Sequence, residues 1–224
     1  MSQRLVIPSR AEVDAEHVVV HPWWQFSARF NVAITQSIPV ARMHDRESEG
    51  VMMRWGLATK SPGGEINLTD RARVRSDALQ YVEGYREPWL HGQRGIVPVA
   101  GFYLWQLTPA GHHQPYYVRL ADRPVFGVAA VWDRVESEEG DVYESSALIT
   151  VLANPLVTEV GKTGRMLAIL QRDDYQTWLS GTVTAAKELL RTYSHEAMVS
   201  HPVAPYVNNL KFDEPALIRP VKLG

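Results

Sequence analysis

Cysteine is absent from this chain of 224 residues. That excludes disulfides, thiolate metal sites, iron–sulfur clusters and a cysteine nucleophile. An excess of charge of one sign is also missing. The 23 basic and 25 acidic side chains create no strong overall field toward DNA or an anionic membrane, and only a local basic groove fits that balance. No run approaches the ~18 consecutive apolar residues of a membrane span. The opening Met1-Ser2-Gln3-Arg4-Leu5 lacks an apolar signal core. A soluble, cytoplasmic protein is expected. Repeats, low-complexity tracts and long linkers are lacking as well.

What is present is ordinary globular material, 45% hydrophobic and 21% charged. A chain of this length suits one domain, 1–224, able to bury its core without staples. Strand-like runs rich in Val, Ile, Tyr and Trp fill the first two thirds. They are His17–His21, Ile38–Ala41, Val51–Leu57, Gly95–Leu107, Pro115–Leu120, Pro124–Trp132 and Ser145–Ala153. Pro109-Ala110-Gly111, Asp122-Arg123-Pro124 and Glu139-Gly140-Asp141 read as turns between neighbouring strands. Helices are expected over Arg172–Leu179, from Thr182 or Thr184 to Tyr193, and over Asp77–Tyr85. Pro202–Val221 reads as extended, broken by four prolines. The strand spacing is too tight for alternating βαβ units. The expected class is α+β, with a curved antiparallel β-barrel core and a few short flanking helices.

Gly161-Lys162-Thr163 has the ending of a phosphate-binding loop, but Leu156 stands where the first glycine belongs, so a turn is the simpler reading. Eight histidines raise the question of a metal. His112 and His113 are adjacent in a turn, His17 and His21 flank a strand-like run, and no HExxH pattern exists, so no metal site is expected. No GxSxG nucleophile pattern occurs, and Glu138-Glu139 reads as a solvated pair in a charged turn. Trp23-Trp24, Tyr116-Tyr117, Tyr103 and Trp105 offer faces for stacking on bases. Core packing is the competing use, favoured for Tyr103, Trp105 and Trp132. Arg71, Arg73 and Arg75 share one face if extended. Such a stripe serves either phosphates or neighbouring acids such as Asp70 and Asp77.

Several motifs stand one after another along the chain. They are Arg29-Phe30-Asn31-Val32-Ala33 with Thr35-Gln36, Arg54-Trp55-Gly56-Leu57, Arg71-Ala72-Arg73, and Val97–Trp105. Phe126–Trp132, Arg165-Met166 with Ile169-Leu170, and His201-Pro202-Val203 with Val207-Asn208-Asn209 complete the set. In this order and spacing, from Ser2 to about Val221, the chain resembles the SOS-response-associated peptidase (SRAP) family. The resemblance implies a β-barrel-like domain that binds single-stranded DNA and senses abasic sites. It implies an N-terminal cysteine, exposed by self-cleavage, whose amine and thiol form a thiazolidine with the sugar aldehyde. An asparagine, a glutamate and a histidine assist.

This sequence departs from that pattern at each of those positions. Ser2 replaces the cysteine, followed by Gln3, Arg4 and Leu5. A hydroxyl is a much weaker nucleophile than a thiolate, so a stable thiazolidine is excluded. Arg71 stands at the asparagine position, while Arg73 is retained. Leu104 replaces the glutamate and removes a general acid/base. Thr163 replaces the histidine, Gly164 an aspartate and Leu167 a proline, while Arg165 is kept. Gly64 and its neighbours replace base-stacking tryptophans.

Three readings follow. In the first, a degenerate member binds single-stranded DNA without covalent chemistry, through Arg4, Arg73, Arg165, Asn208 and Asn209. It takes single strands, with or without abasic sites, as partner and uses no cofactor. In the second, the Ser2 α-amine, with an ordinary pKa of ~7.7–8.0, forms a reversible Schiff base as a lyase. Lys162, Glu159 or Asp70 would then substitute for the missing acid/base groups. In the third, Leu104 and Leu167 make the groove apolar and suited to another ligand or a peptide.

Overall fold

Strands paired across long sequence separations dominate the structure, a computed structural model describing residues 4–16, 19–61, 63–69 and 71–223. In chain order the elements are β1 (Arg4–Ile7), α1 (Arg10–Asp14), β2 (His21–Pro22), β3 (Arg29–Ala33), β4 (Ser37–His44), β5 (Glu47–Trp55), β6 (Ala58–Lys60), β7 (Ile66–Leu68), β8 (Arg73–Arg75) and α2 (Arg86–Leu90). They continue with β9 (Arg94–Val99), β10 (Gly101–Leu107), β11 (His113–Leu120), β12 (Phe126–Glu136), β13 (Val142–Leu152), α3 (Pro155–Gly161), β14 (Arg165–Leu167), α4 (Tyr175–Ser180), α5 (Val183–Glu188) and β15 (Met198–Pro202). The α+β class and barrel core expected from the sequence are present. Among the described residues no helix is long and apolar enough to cross a membrane.

Five strands close a barrel. β13, β12, β9, β4 and β5 pair antiparallel in that order. The ring shuts through a parallel seam, Ser145↔Arg54 and Ser146↔Trp55. β9 from Gly95 onward and the first half of β12 are buried on both faces, which accounts for their unbroken apolar composition. The seam rests on the Arg54-Trp55-Gly56-Leu57 motif. Trp55 is buried and its indole N–H donates to the Ala72 carbonyl at 2.9 Å. Gly56 N–H donates to the Ser146 carbonyl at 2.8 Å. Arg54 donates to the Gly56 and Thr69 carbonyls. Gly56 has φ +125°, a region that side chains avoid.

A five-stranded antiparallel sheet, ordered β15-β11-β10-β1-β3, packs beside the barrel. Its inner face, with Leu5, Val32, Phe102, Leu104 and Val118, joins the main core. Its outer face, with Val6, Tyr103 and Tyr117, is covered by Val203, Val207 and Leu217 of the C-terminal segment. Asn31 holds that segment down, its buried amide donating to the carbonyls of Val207, Asn209 and Phe212 at 3.0–3.2 Å. Asp213 accepts from the backbone N–H of Phe30 and Asn31 and from Arg29.

Several sequence expectations are corrected. Gly95–Leu107 is two strands, because Ala100 turns its N–H to the Val6 carbonyl and sends β10 into the other sheet. Asp77–Tyr85 forms turns rather than a helix, with Gly84 at φ +84° and the helix starting only at Arg86. Asp122-Arg123-Pro124 links β11 to β12, which lie in different sheets. The helix capped by Thr182 ends at Glu188 rather than Tyr193. Pro202–Val221 contains two 3-10 turns, Pro205–Asn208 and Pro215–Ile218. Of His17–His21 only the end belongs to β2; His17 and Val18 lie outside the described residues.

Gly56→Ala tests the seam. A Cβ there would sit 2.8 Å from an Arg54 guanidinium nitrogen and 2.9 Å from the Thr69 carbonyl oxygen, at a φ that disfavours it. The variant is expected to lose about 2 kcal/mol or more, read as a lower urea midpoint. An unchanged midpoint would show that the seam tolerates relaxation there.

Candidate functional site

Antiparallel pairing of Leu5 with Phe102 sets the Arg4 end of β1 beside the half of β10 that carries Leu104. The turn between α3 and β14 packs over the same place. α3 starts with an Asn154 N-cap and Pro155 and ends on Lys162, left-handed at φ +45°. A methyl built on Gly161 would meet Thr163 Cγ2 at 3.1 Å and Leu104 Cδ2 at 3.2 Å. Leu104, Gly161 and Thr163 are therefore in packing range of one another. Leu104 is 2% exposed and Leu167 1%. An ionised carboxylate at position 104 would be buried against apolar neighbours and raised in pKa; the leucine there supplies only packing. The Thr163 hydroxyl accepts from the Arg165 backbone N–H at 3.4 Å. Helix precedes and strand follows Gly161-Lys162-Thr163, the reverse of a phosphate-binding loop, which needs the helix after its glycines.

The arginines come from the next layer. β8 runs parallel to β13, with Arg73↔Leu148 and Arg75↔Thr150. Val74 between them is buried, which turns Arg73 and Arg75 to the opposite face. β14 pairs with the same end of β13, Leu152↔Arg165. The Arg165 guanidinium donates to the Thr150 carbonyl at 2.6 Å and to Asp77 at 3.2 Å. Arg75 grips the same carboxylate through both Nε and Nη2. Asp77 therefore sits between two guanidinium groups, and the trio carries a net positive charge. The hydrogen bond from Arg75, with the charges of Arg75 and Arg165 behind it, holds the Asp77 carboxyl down at about 2. A cleft of about 400 Å3 opens here, lined by Ser76, Asp77, Arg165, Arg191 and Thr192 among others.

Arg71 does not join this group. Its Nη1 donates to the Glu83 carbonyl at 3.3 Å, and it lines a separate pocket with Lys60, Glu87 and Asp133. Burial raises the Asp133 carboxyl, against hydrogen bonds from Arg134 and Gln93. Arg4 opens β1 opposite Ala33, and burial lowers its guanidinium pKa. Asn208 and Asn209 lie on the outer side of the five-stranded sheet. Asn208 Oδ1 accepts from the Trp105 indole at 2.7 Å, and Asn209 Oδ1 accepts from the Lys211 N–H at 3.0 Å. Trp105 follows Leu104 in β10 but packs with the outer cluster. Ser2 and Asp70 lie outside the described residues. Gly64, at φ +87°, stands in the β6–β7 turn.

Of the aromatic candidates, Trp24, Tyr103 and Tyr117 are buried, while Trp23 is 67% exposed and stacked on His21. Among the described residues no three His, Asp or Glu side chains are placed to hold a metal. Sequence reasoning did not find Arg191 and Thr192 beside Arg165, because no motif marks the segment after α5.

An acid titration tests the paired carboxylate. The Asp77 carboxyl resonance is expected to titrate at about 2, below the ordinary ~3.9. The pairing therefore favours the fold above pH ~4 and is lost as pH falls through the native value. Arg75→Gln is expected to move the midpoint up toward ~3.9. A midpoint already near the ordinary value in the parent chain would contradict the pairing.

Comparison with known proteins agrees with this architecture. Residues 1–210 match the SOS response associated peptidase (SRAP) family. Abasic site processing protein YoqW of Bacillus subtilis is 25% identical over 200 residues, covering 88% of each chain. The Gallus gallus abasic site processing protein HMCES is 28% identical over 203 residues, covering 79% of this chain and 60% of its own. A crystal structure from Bacteroides thetaiotaomicron superposes with a TM-score of 0.85 at 21% identity, over 98% of this chain and all of that one. A second, from Bordetella bronchiseptica, gives 0.75 at 22% identity, over 91% of this chain and all of its own. With the matched model spanning residues 1–210, and the same barrel and motifs in place, the chain belongs to the SRAP family.

Proposed function

We propose that this chain is a cytoplasmic, single-domain DNA-damage protein that binds single-stranded DNA, with or without abasic sites, and forms no thiazolidine crosslink. The observation that carries the reading is the pairing of opposites at one end of β13 and β10. The position expected for a carboxylate is an apolar Leu104 packed on Gly161. The strand face expected for phosphates keeps Arg73, Arg75 and Arg165. The names of the relatives, abasic site processing proteins, support the DNA partner.

In this reading Arg73 and Arg165 contact phosphates, with Arg4 at the start of β1 on the same path. Arg75 is a further cation of the group. The competing lyase reading needs an amine at Ser2 to condense with a sugar aldehyde, releasing water and reversing by hydrolysis. No thiol is available to trap the imine, and the Leu104 side chain has no proton to exchange. Asp77 acts as a built-in competitor, occupying with its own carboxylate the guanidinium groups that a phosphate would engage.

An abasic single-stranded oligonucleotide, run on a denaturing gel with and without borohydride, tests the first claim. No adduct is expected in either lane. A heat-stable adduct without borohydride would overturn the reading, and an adduct only with borohydride would replace it with amine chemistry. Titration on native gels tests the second. Arg165→Gln is expected to weaken binding to all sequences alike and to flatten the salt dependence by roughly 0.7 per phosphate lost. Asp77→Asn is expected to tighten binding at low salt. Equal affinity in both variants would remove this cleft from the DNA path.

A further inference from the structure

The outer side of the five-stranded sheet carries a cavity of its own, about 380 Å3, at the Ile7–Pro8 end of β1. That is the opposite end of the strand from Arg4 and the opposite face from Leu104. Its walls are mainly apolar: Val6, Phe30, Ala100, Pro124 and Ile218. The volume falls within the roughly 300–1,000 Å3 of small-molecule pockets, which combine apolar walls with a few placed polar groups.

Two charged side chains in the lining keep polar atoms that no described residue engages. The Tyr117 hydroxyl donates to the Ala100 carbonyl at 2.8 Å. His201 Nε2 lies 2.8 Å from the Ile218 carbonyl, which only accepts, so that nitrogen carries the proton. Arg119 uses Nη1 on the carbonyls of Leu120 and Ala121, at 2.7 and 3.3 Å. Its other guanidinium N–H groups meet no acid among the described residues, whereas Arg10, Arg29 and Arg123 each pair with one. Glu12 closes the capping box of α1 with a single oxygen, Oε2, which accepts from both the backbone N–H and the hydroxyl of Ser9. Oε1 takes no part in it. An apolar hollow thus retains one cationic fork and one carboxylate oxygen.

That combination is complementary to a molecule with an apolar body, one carboxylate and one ammonium group. We propose that this cavity binds a small apolar zwitterion of amino-acid size. The carboxylate lies on Arg119, the ammonium on Glu12 and the side chain between Val6, Phe30 and Ile218. The site is separate from the arginine cleft at Asp77 and independent of the DNA reading.

The test uses L-phenylalanine and L-leucine as probes, with phenylacetate and phenethylamine as half-ligands, followed by amide chemical shifts of the full chain. Saturable shifts are expected at Ala100, Tyr117 and Ile218 and not around Arg165. Each half-ligand is expected to bind at least about tenfold more weakly, a loss of ~1.4 kcal/mol. Arg119→Gln and Glu12→Gln are each expected to produce a loss of the same size. Gln is accepted at the third position of a capping box, so Glu12→Gln keeps α1 intact. Binding of phenylacetate as tight as that of phenylalanine would overturn the zwitterion. Absence of saturable shifts up to about 10 mM, or undiminished affinity in both variants, would overturn the site.

Discussion

Closure of the barrel through two residue pairs is the constraint on which the rest depends. Four of its five junctions are antiparallel ladders. The fifth is the short parallel contact of Arg54-Trp55 with Ser145-Ser146. Trp55 fills the junction and fixes the Ala72 carbonyl, and Leu148 N–H binds the same carbonyl at 2.9 Å. The chain leaving Ala72 therefore has to continue alongside β13 as β8. That is what sets Arg73 and Arg75 against β13, the strand with which β14 also pairs. The arginine cleft is a by-product of how the barrel shuts, and its register is inherited from the seam.

Substitutions at the family positions form a consistent physical set. Burial of an ionised group without a partner is costly, and a carboxylate beneath Gly161 would need a cation or donor facing it. Thr163 offers a hydroxyl and Leu167 an aliphatic chain, and neither supplies charge. With leucine at 104 the three positions agree in lacking charge, and Leu104 and Thr163 both face Gly161. The guanidinium groups behave differently. Arg75 remains at the surface and Arg165 is largely buried, and Asp77 holds both while the Thr150 carbonyl accepts a further Arg165 N–H in the absence of any ligand.

Much of the barrel was legible because its strands obey local rules. β4, β5, β12 and β13 carry β-branched and aromatic runs bounded by turn residues. β1 and β3 were not, because Arg4, Arg29 and Asn31 interrupt their patterns and distant pairing stabilises them. The split at Ala100 has no turn residue to announce it; only the Val6 carbonyl decides it. α1 did have a signal, Ser9 three residues before Glu12, which forms the capping box observed. At the site, alignment of motifs reached Leu104 and Thr163, and the fold brings them into contact range through Gly161. It could not separate Arg71 from Arg73, because the diversion of Arg71 depends on the Glu83 carbonyl, a contact with no sequence signature. Asp77 was visible as a nearby acid, but its second arginine comes from 88 residues away.

The C-terminal segment has a consequence for the order of synthesis. Asp213 holds the backbone of Phe30 across 183 positions, and Val203 bridges to Pro220 beyond β15. All five barrel strands lie between Ser37 and Leu152, so the barrel can shut while the last third of the chain is still being made. The N–H groups of Phe30 and Asn31, on the outer strand β3, have to wait for Asp213. At translation rates of about 5–20 residues per second that wait is on the order of 10–40 s. During it the nascent chain exposes an unpaired strand edge, the kind of template on which neighbouring chains join. The span from Val203 to Val221 thus ends a period of vulnerability as well as completing a sheet.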